Sequence, residues 1–222
     1  MPQNQNSVDK IQGVLFDLDG TLLDSAPGIL ATLYHILDLH KLPKKDKQTL
    51  NPYIGQGLTT LFQQCAPRLT LEQCQHHAKE GFLHYIKNAH TNTLPYSGAE
   101  DILHFLNQRQ TPWGIVTNKT RKLMKAVIHK LPYHETAKII VCADDLDVKK
   151  PNPKPLLYAA EKLQSNPKNT LYIGDALVDM QAAVTANMNG LIAQYGYVSQ
   201  DYKNWPHQGI LANLLEIKQW LD

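Results

Sequence analysis

An apolar run, Val14-Leu15-Phe16, breaks off into two carboxylates, Asp17 and Asp19, and Gly20 follows at once. A run this short, branched and aromatic, with a glycine on each flank, reads as a buried strand. In open α/β sheets, ligands collect beyond the carboxyl ends of the strands, which is where these acids fall. Gly20 lets the chain turn tightly there, because it carries no Cβ. Two carboxylates this close repel unless a cation lies between them or their roles divide. Mg²⁺ suits a few carboxylate oxygens completed by phosphate and water. One acid can then serve as nucleophile and the other as proton donor and acceptor. A solvated turn is the plainer alternative. A calcium loop fails, because the sixth and twelfth positions counted from Asp17 are Leu22 and Gly28, where Gly and Glu are required.

The same grammar recurs downstream. Trp113-Gly114-Ile115-Val116 ends in Thr117-Asn118, which offer a hydroxyl, an amide and backbone N–H groups to an anion. Lys138 to Ala143 is a third strand, running into Asp144-Asp145 and then Lys149-Lys150-Pro151-Asn152-Pro153. Thr170-Leu171-Tyr172-Ile173 ends in Gly174-Asp175, and Asp179 falls in the first turn of the next helix. An acid there is favoured by the helix dipole in any case. Asn189 to Ala193 and a short piece around Ile210-Leu211 supply further strands. Helices are expected with Ser25 and with Ser97 plus Glu100 as caps, with a stripe from Leu123 to Leu131, and at the C-terminus from Leu214 to Leu221.

Between Ser25 and Asn92 no strand is evident. About 70 residues of helical character stand where a βαβ unit needs roughly one helix, too long for a structureless loop. This reads as an inserted helical subdomain.

Asp17-Leu18-Asp19-Gly20-Thr21-Leu22-Leu23-Asp24-Ser25 resembles the first signature of the haloacid dehalogenase superfamily, in its phosphatase branch. Thr117-Asn118, Lys150-Pro151-x-Pro153 and Gly174-Asp175-x-x-x-Asp179 resemble the second, third and fourth, in order, so the likeness covers the chain from Ile11 onward. The resemblance implies an α/β fold: a doubly wound, mostly parallel Rossmann-like core, residues 1–24 and 92–222, with a helical cap, residues 25–91, closing over the site. It implies Asp17 as nucleophile, Asp19 as general acid and base, and Lys150 as the cation reaching phosphate and nucleophile. Thr117 and Asn118 hold the phosphate. Asp17, Asp175 and the backbone carbonyl of Asp19 hold Mg²⁺, with Asp179 supporting the metal or orienting Lys150. Lys150 is preferred to Lys149 on the family's Lys-Pro adjacency. Ala176 stands where many relatives carry a small hydroxyl residue, which removes a polar contact but no ligand.

The lysine has a physical purpose. A phosphate dianion approaching Asp17 meets like charge, about 4 kcal/mol per unit pair at ~4 Å and an effective dielectric near 20. Asp19 also separates branches, since dehalogenases lack an acid there. Within the phosphatases the chain looks most similar to phosphoglycolate phosphatases and to a relative acting on N-acetylmuramic acid 6-phosphate. Gly55-Gln56-Gly57-Leu58 resembles a cap segment facing the site. Tyr195-Gly196-Tyr197 occurs in both groups, while Trp113-Gly114 and Asn204-Trp205 lean slightly toward the sugar phosphatase. A β-phosphoglucomutase-like mutase and a non-catalytic phosphate-binding module are the readings from other classes.

The 222 residues suffice for one α/β domain with a modest insertion, and 22 basic against 20 acidic side chains give no reason to expect nucleic acid or an anionic membrane. The expected partner is a small phosphorylated metabolite, and the chain itself a monomer or homodimer. Cys65, Cys74 and Cys142 are odd in number and lack CxxC spacing, which points to reduced thiols. Met1 to Lys10 has no apolar core for a signal peptide, so the cytoplasm is the expected compartment.

Overall fold

The structure, a computed structural model, describes residues 10–221. The stretch read for targeting signals therefore lies, apart from Lys10, outside the described residues.

In chain order, β1 (Gly13–Phe16) leads through the acidic turn to a two-residue strand, β2 (Leu23–Asp24). Helices α1 (Ala26–Leu39), α2 (Lys47–Leu50), α3 (Leu58–Cys65) and α4 (Leu71–Asn88) follow, and β3 (Leu94–Pro95) returns antiparallel to β2. The chain then alternates through α5 (Ala99–Gln108), β4 (Trp113–Val116), α6 (Arg121–Lys125), β5 (Ile139–Val141), α7 (Lys154–Leu163) and β6 (Thr170–Gly174). It closes with α8 (Leu177–Thr185), β7 (Asn189–Ala193) and β8 (Gly209–Leu211). The main sheet has the order β5-β4-β1-β6-β7-β8, and every pairing in it is parallel. This is the expected doubly wound α/β architecture. The β2–β3 ribbon, at the stems of the helical segment, is too short to leave a periodic signal.

Alternation along the strands builds a core on each face. Val14 and Phe16 of β1, with Leu171 and Ile173 of β6, join one cluster; Leu15 and Tyr172 join the other. The first is sealed by α5 through Ala99, Ile102, Leu103 and Leu106, the second by α7 and α8 through Leu156, Ala159, Ala182 and Ala183. The first cluster also runs without a break into the helical segment, through Leu18, Leu22, Leu33, Phe62 and Tyr85.

Local expectations fail where tertiary contacts claim the side chain. Ser25 makes no cap bond, because its hydroxyl goes to Asp19. Ser97 and Glu100 form no capping box; Gly98, in the left-handed region at φ 85°, stands at that helix start instead. The stripe from Leu123 to Leu131 is α6, which ends at Lys125, followed by a 3₁₀ turn, Ile128–Lys130, with the β-branched Val127-Ile128 pair just past the helix end. Met124, Val127, Ile128 and Leu131 are buried all the same. The C-terminal helix is 3₁₀, Leu214–Trp220, which suits the three-residue spacing of Leu214 and Ile217.

Because one cluster joins the helical segment to the sheet, the two should melt together. Leu33→Ala, at a fully buried position of α1, is expected to cost about 2–5 kcal/mol. Calorimetry should show one transition at lower Tm; two separated transitions would mean that the segments fold independently.

Candidate active site

The strand order sets the site. From β1 the chain builds outward through β4 and β5 on one side, then crosses to β6 on the other. Such a reversal opens a crevice at the carboxyl ends of the strands. Asp17 follows β1, Thr117 follows β4, Lys150 lies in the loop after β5, and Asp175 follows β6.

Lys150 sits at the centre, with 2% of its side chain exposed. Its Nζ lies 2.9 Å from Asp17 Oδ1 and 2.7 Å from Asp179 Oδ1. It donates to Val116 O at 2.9 Å and to the Tyr172 hydroxyl at 2.8 Å, and that hydroxyl donates in turn to Asp179 at 3.0 Å. Burial opposes the ammonium charge, but Asp17 and Asp179 outweigh it and hold the lysine above its ordinary range. Asp179 also accepts from the Ala176 N–H at 2.9 Å, so the acid that caps α8 is the acid that orients Lys150. Lys149, by contrast, is exposed at the cavity lining.

Asp17, Asp175 and Asp179 bring carboxylate oxygens within 4.8 Å of one another. Burial pushes the Asp17 carboxyl up to about 6 despite the pull of Lys150, and burial with the charge of Asp17 pushes Asp175 well above the usual range. Asp17 Oδ1, although beside Lys150, accepts no aligned hydrogen bond and is buried. A cluster of buried oxygens with one left unsatisfied fits a hard divalent cation. His40, His77 and Glu80, on α1 and α4, form another convergent group, but there the Glu80 carboxylate already accepts from both imidazoles and is partly exposed.

The turn is packed around Asp175. Gly20 has φ 81°, and a Cβ there would lie 2.0 Å from Asp175 Oδ2. A Cβ on Gly196 would lie 2.2 Å from Gly20 O. Tyr197 N donates to Asp175 at 2.7 Å, while its hydroxyl donates to Asp24 and accepts from the N–H groups of Ser25 and Ala26. The Tyr195-Gly196-Tyr197 loop thus braces the metal-capable acid and the start of α1 together.

The Asp19 carboxylate lies outside the acidic cluster. Lys119 donates to both its oxygens, at 2.9 and 2.7 Å, and the Ser25 hydroxyl donates to it at 2.5 Å. Burial works against the Lys119 charge, yet Asp19 holds it well above its ordinary range. Sequence reasoning gave no role to Lys119 or Tyr172. Lys119 carried a signal, a lysine directly after a strand-ending Thr-Asn; Tyr172 had none, being one apolar strand residue among others.

Thr117 is buried, and its hydroxyl accepts from Lys119 N–H at 3.2 Å. The Asn118 side chain is committed to the Lys150 backbone, donating to its carbonyl and accepting from its N–H, both at 3.0 Å. Asn118 therefore fixes the lysine loop with its amide and keeps only its backbone for a ligand. Asp145, with Asp144 left without a role in the sequence, pairs with Arg121 and accepts from Cys142 N–H, pinning the same loop. Above these groups lies a cavity of about 470 Å³ between the sheet edge and the helical segment. Asp19, Lys119 and Lys150 line its floor, and Leu58, Phe82 and Tyr85 its roof.

The raised Asp17 carboxyl has a consequence for stability. Its contribution is full below pH about 4 and is lost as pH rises through about 6, because the folded state holds the proton more tightly. Asp17→Asn removes this contribution. Without metal, the wild-type Tm should fall relative to that of the variant between pH about 4 and about 7. Mg²⁺ at pH 7 should raise the wild-type Tm more than the variant's. Parallel melting curves under both conditions would overturn the assigned burial of charge.

Residues 14–193 match the model of a family described as haloacid dehalogenase-like hydrolase. The chain is 36% identical over 202 residues to a phosphoglycolate phosphatase of Xylella fastidiosa, covering 90% of this chain and 88% of that one. It is 31% identical over 217 residues to an N-acetylmuramic acid 6-phosphate phosphatase of Pseudomonas aeruginosa, covering 96% of each. A haloacid dehalogenase-like family hydrolase of known structure from Streptococcus pneumoniae superposes with a TM-score of 0.83 at 24% identity, over 96% of this chain and 99% of that one, which shows the shared fold. With the parallel sheet, the acidic turn after its first central strand and the match across most of its length, this chain belongs to the haloacid dehalogenase-like hydrolase family.

Proposed function

We propose that this hydrolase is a Mg²⁺-dependent phosphatase that releases phosphate from a small phosphomonoester through an aspartyl-phosphate, with 2-phosphoglycolate as substrate and glycolate as product. The observation that carries the reading is the division of acids: Asp17 is buried against Lys150 in a cluster of carboxylates, while Asp19 stands apart at the cavity floor. That is the arrangement a nucleophile and a separate proton carrier require.

Asp17 attacks phosphorus, forming the acyl–phosphate bond as the bond to the alkoxide breaks. Asp19 passes a proton to that alkoxide. It begins as the partner of Lys119, so this pair loosens and Asp19 takes up a proton from solvent before the transfer. Asp19 then accepts a proton from water, whose oxygen displaces Asp17 and yields phosphate. Lys150, the Thr117 hydroxyl and backbone N–H groups beyond β4 hold the phosphoryl oxygens. When bound, Mg²⁺ held by Asp17 and Asp175, with the Asp19 carbonyl, supplies charge neutralisation for the transferring group. Asp179 acts through Lys150. The helical segment serves as the cap, with its sides meeting at the β2–β3 ribbon.

The relatives' names support a second reading, N-acetylmuramic acid 6-phosphate, for which the volume of the cavity leaves room. A mutase would return the phosphate to the sugar. Phosphate release with Mg²⁺ across 2-phosphoglycolate, N-acetylmuramic acid 6-phosphate, hexose phosphates and nucleotides should give one clear winner in kcat/KM. Asp17→Asn is expected to lower kcat at least about 10⁴-fold with the fold retained, and chelation to stop turnover. Substantial activity in that variant would sink the covalent route, and absence of stoichiometric phosphate would revive the mutase. Among the described residues no helix is long and apolar enough to cross a membrane.

A further inference from the structure

Lys119 has three protons to donate and Asp19 takes two of them. Nζ lies 4.9 Å from the centre of the Tyr85 ring, on α4. The Tyr85 hydroxyl is buried and makes no hydrogen bond. Tyr85 itself is 3% exposed, and both residues line the cavity above Asp19. The third ammonium proton of Lys119 faces Tyr85, whose buried hydroxyl makes no aligned hydrogen bond, so one group from the sheet side and one from the helical side meet at the cavity with a hydroxyl proton still to place. Buried donors of this kind cost stability unless a partner arrives.

We infer that Lys119 and Tyr85 form a subsite for a carboxylate carried by the leaving group of the substrate, on the carbon that bears the leaving oxygen. The inference rests on the phosphatase reading above and deepens it. Asp19 has to reach the leaving oxygen, and Lys119 contacts both Asp19 oxygens within 2.9 Å. A carboxylate two bonds from that oxygen therefore falls within one hydrogen bond of the same ammonium. A carboxylate on a distant sugar substituent does not. The subsite selects 2-phosphoglycolate over a neutral ester of equal length, and it ties recognition to the helical segment, because Tyr85 belongs to α4. Charge-assisted hydrogen bonds to a buried carboxylate correspond to about ten- to hundredfold in affinity.

The test compares 2-phosphoglycolate with ethyl phosphate, which has the same two-carbon skeleton without the carboxylate. Wild type, Lys119→Met and Tyr85→Phe are assayed on both with Mg²⁺. The ratio of the two kcat/KM values cancels effects on Asp17 and Asp19, which both substrates use. The expected ratio in wild type is at least tenfold in favour of 2-phosphoglycolate, falling about tenfold or more in Lys119→Met and several-fold in Tyr85→Phe, chiefly through KM. Tyr85→Phe removes one hydroxyl oxygen, and it decides the matter if Lys119→Met fails to fold. A ratio unchanged in the folded variants overturns the subsite. So does a carboxylate preference confined to N-acetylmuramic acid 6-phosphate over N-acetylglucosamine 6-phosphate. Calorimetric titration of glycolate separates the two readings. If wild type turns over neither ester yet binds glycolate, with affinity lost in the variants, the phosphatase assignment fails and the subsite stands. Glycolate binding that is absent in wild type, or equal in all three proteins, overturns the subsite.

Discussion

A single buried ammonium holds the centre of this molecule together. Lys150 meets Asp17 and Asp179 within 2.9 Å, with Asp175 close by. Three carboxylates around one cation leave an excess of negative charge where water is scarce, and burial accordingly drives Asp17 and Asp175 toward their protonated forms. The same imbalance makes the cluster receptive to a divalent cation. Tyr172, Asn118 and the Asp145–Arg121 pair all serve to hold the lysine or its loop in place.

The second acid lives under different conditions. Asp19 is separated from Asp17 by one residue in the chain but belongs to another network, with Lys119 and Ser25. Placing Leu18 between them, fully buried in the first core cluster, points the flanking side chains away from it. Two carboxylates one residue apart thus enter different networks through packing and not through any difference in chemical type. The Tyr195-Gly196-Tyr197 loop locks this turn, since a Cβ on Gly196 would strike Gly20 O and one on Gly20 would strike the Asp175 carboxylate.

Much of the architecture was legible in advance. Apolar runs that end abruptly in polar residues marked β1, β4, β5, β6 and β7 to within a residue or two, because strands buried on both faces leave continuous hydrophobic stretches. The long strandless interval between Ser25 and Asn92 matches the run of helices α1 to α4. Local capping rules fared worse: Ser25 and Ser97 have the right chemistry for caps, but Asp19 draws the first and the left-handed Gly98 displaces the second. The helix expected from Leu123 to Leu131 kept its apolar face while losing its regular turns, since burial constrains side chains more strongly than it constrains hydrogen-bond period.

The sequence by itself determined which residues stand at strand ends, because hydrophobic periodicity and the four ordered motifs are local properties of the chain. It therefore placed Asp17, Asp19, Thr117, Lys150 and Asp175 at one edge of a parallel sheet. Only the tertiary structure decided which of them touch. That Asn118 spends its amide on the Lys150 backbone, that Asp179 grips Lys150 as well as capping α8, and that Lys119 and Tyr85 meet above Asp19 depend, the cap apart, on contacts between residues about 30 positions apart. Such contacts follow from strand order and from the docking of the helical segment, and no short stretch of sequence encodes either.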